Sequence, residues 1–249
     1  MGCAVGILSA EERAASGPAF GFRGPEIYPI DFQASLLHEA DLNGDGKLDL
    51  VVVNNARSRI QILWNQTGQT NRPVSVSTRR EVNELPPDAR FRIDSVSSEK
   101  RIAALAVTDL NGDGRPDFLY YGGEPKELIF QANLGTNGWA ALKRWPIEDA
   151  MLSPNALATG DIDGDGLPDV VLLAETHLYL LRQGKDHQLS EPEKIPLSAA
   201  VKSVQILDVN GDGRQDLQLV NWDSPTPVRV RFQNAAGQLG PEVHFSSPP

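Results

Sequence analysis

Four copies of one nine-residue stretch limit what this chain can fold into. They read DLNGDGKLD from Asp41 to Asp49, DLNGDGRPD from Asp109 to Asp117, DIDGDGLPD from Asp161 to Asp169 and DVNGDGRQD from Asp208 to Asp216. Their first aspartates are 68, 52 and 47 positions apart, the size of one supersecondary unit. The chain is therefore a repeat protein, each unit resting on its neighbours.

The charge follows the repeats. The 249 residues carry 33 acids and 23 Lys and Arg, a net charge of −10. Thirteen of the acids sit inside the four copies, and removing them leaves 33 − 13 = 20 against 23, a balance of +3. The acidity thus belongs to the motifs, and a nucleic acid is not the expected partner. The single cysteine, Cys3, excludes an internal disulfide framework and a Cys-rich zinc site. No apolar run reaches the ~18–20 residues of a membrane-spanning helix.

Positions 1, 3, 5 and 9 of each copy offer side-chain oxygens: Asp41, Asn43, Asp45 and Asp49; Asp109, Asn111, Asp113 and Asp117; Asp161, Asp163, Asp165 and Asp169; Asp208, Asn210, Asp212 and Asp216. Position 6 is always glycine, which lets the backbone turn at positive φ and wrap round a point. Position 7 is Lys47, Arg115, Leu167 or Arg214, a mixture expected if only its carbonyl oxygen ligates. Calcium fits this donor set, because it takes ~6–8 oxygens in a flexible shell whereas magnesium keeps a tight, partly hydrated octahedron. About four Ca²⁺, one per loop, are expected. An EF-hand needs a Glu at position 12, where this chain has Val52, Tyr120, Leu172 and Leu219.

The flanks are strand-like. Apolar runs Leu50–Val53, Phe118–Tyr121, Val170–Leu173 and Leu217–Val220 follow the loops, as in strands covered on both faces. A short strand precedes each loop, with Leu36, Ala104, Ala156 and Ser203 five residues before the first aspartate; mostly small side chains there fit crowding at a central axis. Third strands are expected at Ser58–Trp64, Glu127–Ala132, His177–Arg182 and Pro227–Phe232, and a less regular fourth at segments such as Lys194–Leu197 and Pro241–Phe245. Four strands per unit make a propeller blade, with the acidic loop between its first two strands.

These D-[LIV]-[ND]-G-D-G-x-x-D stretches, with their apolar continuations, resemble the FG-GAP or VCBS repeats of bacterial surface proteins and of the integrin α-subunit N-terminal propeller. The resemblance covers Ile27 to the C-terminus. It implies an all-β propeller of four-stranded blades with calcium in each hairpin, exported to the medium or a bacterial cell surface, and mediating adhesion or ligand binding without catalysis. Related propellers commonly have seven blades, and only four motifs occur here. Gly24-Pro25-Glu26-Ile27 resembles Gly240-Pro241-Glu242-Val243, so a spare outer strand is expected at the start. Either that strand completes a small ring or the chain is part of a longer propeller; the second is the expectation.

Residues 21–249 are thus read as repeats. Residues 1–20, opening MGCAVGILSA without a positive charge, are read as the remnant of a leader or as a disordered N-terminus. His38, His177, His187 and His244 fall in no catalytic motif, and there is no nucleophile elbow or phosphate loop. Candidate contacts for a protein or carbohydrate ligand are Tyr121, Trp139, Trp145 and Trp222, with packing the expectation for Trp139 and Trp145. The alternative function is a calcium-dependent lyase acting on polysaccharide, for which no base and cation pair is visible in the sequence. Oligomeric state leaves no trace there.

Overall fold

The computed structural model of the chain describes residues 27–32, 34–68, 85 and 89–246. The leader expected over residues 1–20 lies outside them. Among the described residues, sixteen strands form four antiparallel sheets, each with its strands in chain order. Blade 1 holds β1 (Ala34–Ala40), β2 (Asp49–Asn54), β3 (Arg59–Asn65) and β4 (Phe91–Ser97). Blade 2 holds β5 (Ile102–Thr108), β6 (Asp117–Gly122), β7 (Glu127–Gln131) and β8 (Lys143–Pro146). Blade 3 holds β9 (Leu157–Gly160), β10 (Asp169–Leu173), β11 (His177–Leu181) and β12 (Glu193–Pro196). Blade 4 holds β13 (Ser203–Leu207), β14 (Asp216–Val220), β15 (Val228–Arg231) and β16 (Val243–Phe245). No helix among the described residues is long and apolar enough to cross a membrane.

The apolar middle strands of blades 2 and 3 are buried on both faces because each of these blades lies between two others. On one face Val51, Ile60 and Ile62 of blade 1 meet Leu105, Phe118, Tyr120 and Ile129 of blade 2. The next residues along, Leu119, Tyr121 and Leu128, join the core that continues through blades 3 and 4. A period-two strand presents successive side chains to opposite neighbours, so in a blade with a neighbour on each side both faces of the middle strand are apolar. The first strands line the inside of the array, β1 beside β5, β5 beside β9 and β9 beside β13.

Ala104 and Ala156 are fully buried at that inner wall, as their size requires. Blade 1 departs from the pattern. A bulge between Ser35 and His38 puts Leu36 at φ 52°, and Leu37 is 66% exposed where Leu105, Leu157 and Val204 are buried. One inserted residue turns the following side chain to the other face of a strand.

Among the described residues the array is open, since β13 does not return to β1. Blade 4 ends it with a polar substitution. Gln218 is half-buried where Val51, Leu119 and Val171 stand fully buried, and Val243 and Phe245 are exposed. At the other end, residues 27–32 are fastened to blade 1. Asn54 Nδ2 donates to Asp31 at 2.7 Å, Arg57 pairs with Asp31 at 2.7 Å, and Tyr28 meets Phe91 edge-on at 5.6 Å. Ile27 lies in no strand, Gly24–Glu26 fall outside the described residues, and β4 fills the outer position of blade 1.

Candidate metal loops

Each nine-residue loop joins the first two strands of a blade, and the same bonds shape all four. The carboxylate at position 1 accepts the backbone N–H of positions 4 and 6: Asp41 from Gly44 (2.8 Å) and Gly46 (2.7 Å), Asp109 from Gly112 (2.7 Å) and Gly114 (2.7 Å), Asp161 from Gly164 (2.6 Å) and Gly166 (2.9 Å), Asp208 from Gly211 (2.7 Å) and Gly213 (2.8 Å). Those glycines adopt φ between 73° and 86°, a region that side chains rarely enter. Position 5 accepts from the N–H of position 7 in every loop, at 2.9–3.0 Å.

Position 9 has a second role that its sequence context does not disclose. Asp49, Asp117, Asp169 and Asp216 are fully buried. One oxygen of each accepts the N–H of position 2, and the other an N–H at the end of the third strand or two residues beyond it: Asn65 (2.7 Å), Asn133 (2.8 Å), Gln183 (2.9 Å) or Gln233 (2.9 Å). The carboxylate thus staples the loop base to β3, β7, β11 or β15. Burial pushes Asp117 up to about 6 against the hydrogen bonds from Asn133 and Leu110. It pushes Asp169 up to about 7 against the bond from Gln183, with Asp163 close by adding to the rise. Asp49 is raised for the same reason.

Loop 3 gathers its carboxylates most tightly. Carboxylate oxygens of Asp161, Asp163 and Asp169 lie within 4.8 Å of one another. Asp163 Oδ1 is buried with no hydrogen-bond partner, and burial followed by the Asp165 charge raises its pKa. An orphaned oxygen between crowded carboxylates fits a hard divalent cation. In the other loops position 3 is Asn43, Asn111 or Asn210, whose side-chain oxygen accepts the position 5 N–H at 2.9–3.0 Å.

Position 7 does more than the sequence suggests. Lys47 pairs with Asp45 at 3.5 Å and Arg115 with Asp113 at 3.7 Å, and Arg214 pairs with Asp212. Loop 3 has Leu167 there, and Arg182 of the same blade approaches Asp163 at 3.7 Å instead. These cations offset part of the carboxylate repulsion.

Among the aromatic candidates, Tyr121 is fully buried and its hydroxyl donates to the Ile147 carbonyl at 2.7 Å, so it is core and offers no ligand contact. Trp145 is buried, and Trp139 stacks on Phe118 at 4.1 Å and 13°. Trp222 alone of the four is well exposed, at 58%.

The edge opposite the loops carries a cluster that sequence motifs do not reveal, because its members come from three segments. Asp149 accepts from the Tyr179 hydroxyl and from Lys194 Nζ at 3.3 Å, and His177 Nε2 lies 3.5 Å away. His177 and Asp149, with Lys126, Glu175 and Thr176, line a cleft of about 580 Å³ between blades 2 and 3.

A model of the FG-GAP-like repeat matches residues 41–120, 109–172 and 161–219, well over half of the chain. No curated protein matches it. Among solved structures, an Agrocybe aegerita lectin that recognises non-reducing terminal N-acetylglucosamine is similar over 84% of this chain and 51% of its own, with 19% identity and a TM-score of 0.57. BBS1N, solved in complex with ARL6DN, is similar over 85% of this chain and 57% of its own, with 12% identity and a TM-score of 0.50. The chain spans about half the length of each, and at such identities the likeness is one of fold.

Proposed function

The chain belongs to the FG-GAP-like repeat family and is a β-propeller-like module; on that premise we propose that it is a calcium-loaded, extracellular binding module that performs no catalysis. The observation that carries calcium is the convergence of Asp161, Asp163 and Asp169 within 4.8 Å, with one buried oxygen unpartnered. Positions 1, 3, 5 and 9 supply side-chain oxygens in all four loops, and position 7 a carbonyl. The cation supplies charge neutralisation and a fixed loop shape, while the protein's own part is to hold the carboxylates in register through backbone amides. Weak sites of this type would stay largely empty at cytosolic calcium, which supports export to a calcium-rich medium.

Binding of a protein or carbohydrate at a blade edge is the activity expected of such a scaffold, and a lectin of similar fold is reason to include glycans in a ligand panel. Calorimetric titration with Ca²⁺ tests the core of the reading. About four equivalents and a rise in melting temperature are expected, and neither heat nor a shift in the melt would overturn it.

A second reading, a lyase, draws on His177 and Asp149, which line the cleft, and on Tyr179 and Lys194, which bond to Asp149 beside it. A base and a cation beside an acidic sugar are what β-elimination requires. Sustained formation of unsaturated uronate from acidic polysaccharides, lost in His177→Ala, would establish it in place of the binding module.

A further inference from the structure

The three junctions between blades are built alike, yet one of them is hollow. Between blades 2 and 3, the His187 imidazole lies against Gly112, 2.1 Å from where a side chain would begin. Between blades 3 and 4, the turn at Gly237 presses on loop 3; its Cα lies 3.5 Å from a side chain built at Gly164, and a Cβ on Gly237 itself would meet the Asp163 carbonyl at 1.7 Å. Between blades 1 and 2, nothing among the described residues lies within 4 Å of a side chain built at the equivalent Gly44. Here Asn133 still reaches across, Nδ2 donating to the Leu42 carbonyl at 2.8 Å. The turn beyond it opens into the 3-10 segment Gly135–Asn137 and leaves a cavity of about 260 Å³.

Three amide oxygens of the cavity walls each already accept a backbone N–H. Asn43 Oδ1 takes the Asp45 N–H (2.9 Å), Asn65 Oδ1 the Thr67 N–H (3.0 Å) and Asn133 Oδ1 the Gly135 N–H (2.9 Å). Donors remain. The Trp64 indole N–H is buried without a partner, a costly state for a polar group. Above the ring, 5.8 Å from its centre, stands the Arg92 guanidinium, whose pairing with Asp94 at 3.5 Å is at the surface. Gln66 and Thr136 complete the polar lining. The space is larger than a carboxylate needs and suits about one sugar ring, and an aromatic wall with amides and a hydroxyl is the surface that a pyranose meets well.

We propose that this niche binds the terminal residue of an acidic saccharide, its carboxylate taken by Arg92 and its ring lying against the Trp64 side chain. The inference rests on the binding-module reading and deepens it. Calcium in loop 1 would shield the niche from Asp41 and Asp45, so chelation weakens binding of the anion.

The test uses the full chain and free D-glucuronate, with D-glucose and acetate as controls. The sequence has four tryptophans, and Trp64→Phe keeps the packing while deleting one indole N–H cross-peak in a ¹⁵N–¹H spectrum, which assigns it. Glucuronate should shift that cross-peak. Glucose should bind at least about tenfold more weakly, Trp64→Phe should lose about tenfold, and Arg92→Gln about ten- to a hundredfold, with melt and calcium stoichiometry unchanged. No shift at about 10 mM glucuronate, equal binding of acetate, or full affinity in Arg92→Gln would overturn the niche. Calcium is titrated on the same samples. Glucuronate binding without calcium uptake would refute the calcium reading and leave the niche standing, and the reverse result would refute the niche alone.

Discussion

The two edges of each blade obey different rules. At the loop edge the same bonds recur in four copies, from position 1 to the glycine amides and from position 9 to the third strand. At the opposite edge no two blades agree. Blade 1 joins blade 2 by Asn55, which exchanges hydrogen bonds with Ile102 at 2.9 and 2.8 Å. Blade 2 uses Lys100, Glu127, Arg144 and Glu99, blade 3 gathers His177, Tyr179 and Lys194 round Asp149, and blade 4 sets Lys202 over Trp222 beside Asp223. A loop held by its own amides tolerates one geometry, whereas an edge built from long side chains has many adequate solutions. Uniformity marks where the loop's own backbone dictates the structure, and diversity marks where side chains vary without disturbing it.

Removing the metal should break the comparison most severely. At calcium about tenfold above Kd each site adds roughly 1.4 kcal/mol, so four add about 5–6, comparable to the ~5–15 kcal/mol of a whole domain. Chelator should therefore lower the melting temperature substantially, and excess calcium should restore it. An unchanged melt would mean that the repeated edge owes its uniformity to the backbone alone.

Two aspartates of loop 3 then separate backbone from metal. Asp169→Ala strands two N–H groups, of Ile162 (3.1 Å) and Gln183 (2.9 Å). At ~1–3 kcal/mol for each stranded group, the loss is about 2–6 kcal/mol even in chelator. Asp165→Ala frees one exposed N–H, of Leu167, and in chelator should cost little. With calcium present both variants should lose the loop 3 ion, and calorimetric stoichiometry should fall by one. Equal destabilisation in chelator would remove the distinction between staple and ligand.

Most of the loop edge was legible because the repeat is local: nine consecutive residues carry it, and the glycines announce their own φ. The third strands fall within a residue or two of expectation, as at Arg59–Asn65 against Ser58–Trp64. Position 9 was legible as an oxygen donor and illegible as a staple, since Asn65, Asn133, Gln183 and Gln233 lie 14–17 residues further on. Tyr121 misled because a tyrosine near a strand end looks like a surface residue, and its hydroxyl bonds to a carbonyl 26 residues away. The His177–Asp149 cluster and the Gly44 niche depend on which blade lies beside which, and no local pattern encodes that.

The alternating Val-Arg-Val-Arg of β15 teaches the same point. Arg229 is 2% exposed and faces blade 3, where it and Arg231 donate to Glu242 at 2.8 and 2.9 Å while Ser198 adds two more bonds, from its hydroxyl and from its N–H at 3.2 Å. Burial alone would raise the Glu242 carboxyl, but the bonds from Ser198 and Arg231 and the Arg229 charge bring it down to about 2. A carboxylate depressed from 4.5 to about 2 contributes stability that is complete above pH 4.5. That contribution is lost as pH falls from there through the folded-state value, and amounts to about 3 kcal/mol at most. Wild type should therefore lose stability between pH 5 and 3 more steeply than Glu242→Gln, followed by urea midpoint in chelator so that the loops do not contribute a calcium-linked term. Parallel curves would show that this junction is held by packing.

Trp222→Ala should have the smallest effect on the fold and says most about recognition. Its ring is 58% exposed, with the Lys202 ammonium 5.1 Å from its centre. A cation over an exposed ring is worth about 0.5–1 kcal/mol, and a surface substitution of this kind usually stays near 0.5. The melt and the calcium stoichiometry should hardly move. Trp222 lies on the diverse edge and Trp64 on the repeated one, so glycan-array binding by the two variants reports which edge meets the ligand. If the loop edge recognises acidic sugars, Trp222→Ala keeps the signal that Trp64→Phe loses. If Trp222→Ala alone abolishes it, recognition belongs to the edge that repetition left unconstrained, and the hollow junction at Gly44 is only a gap between blades.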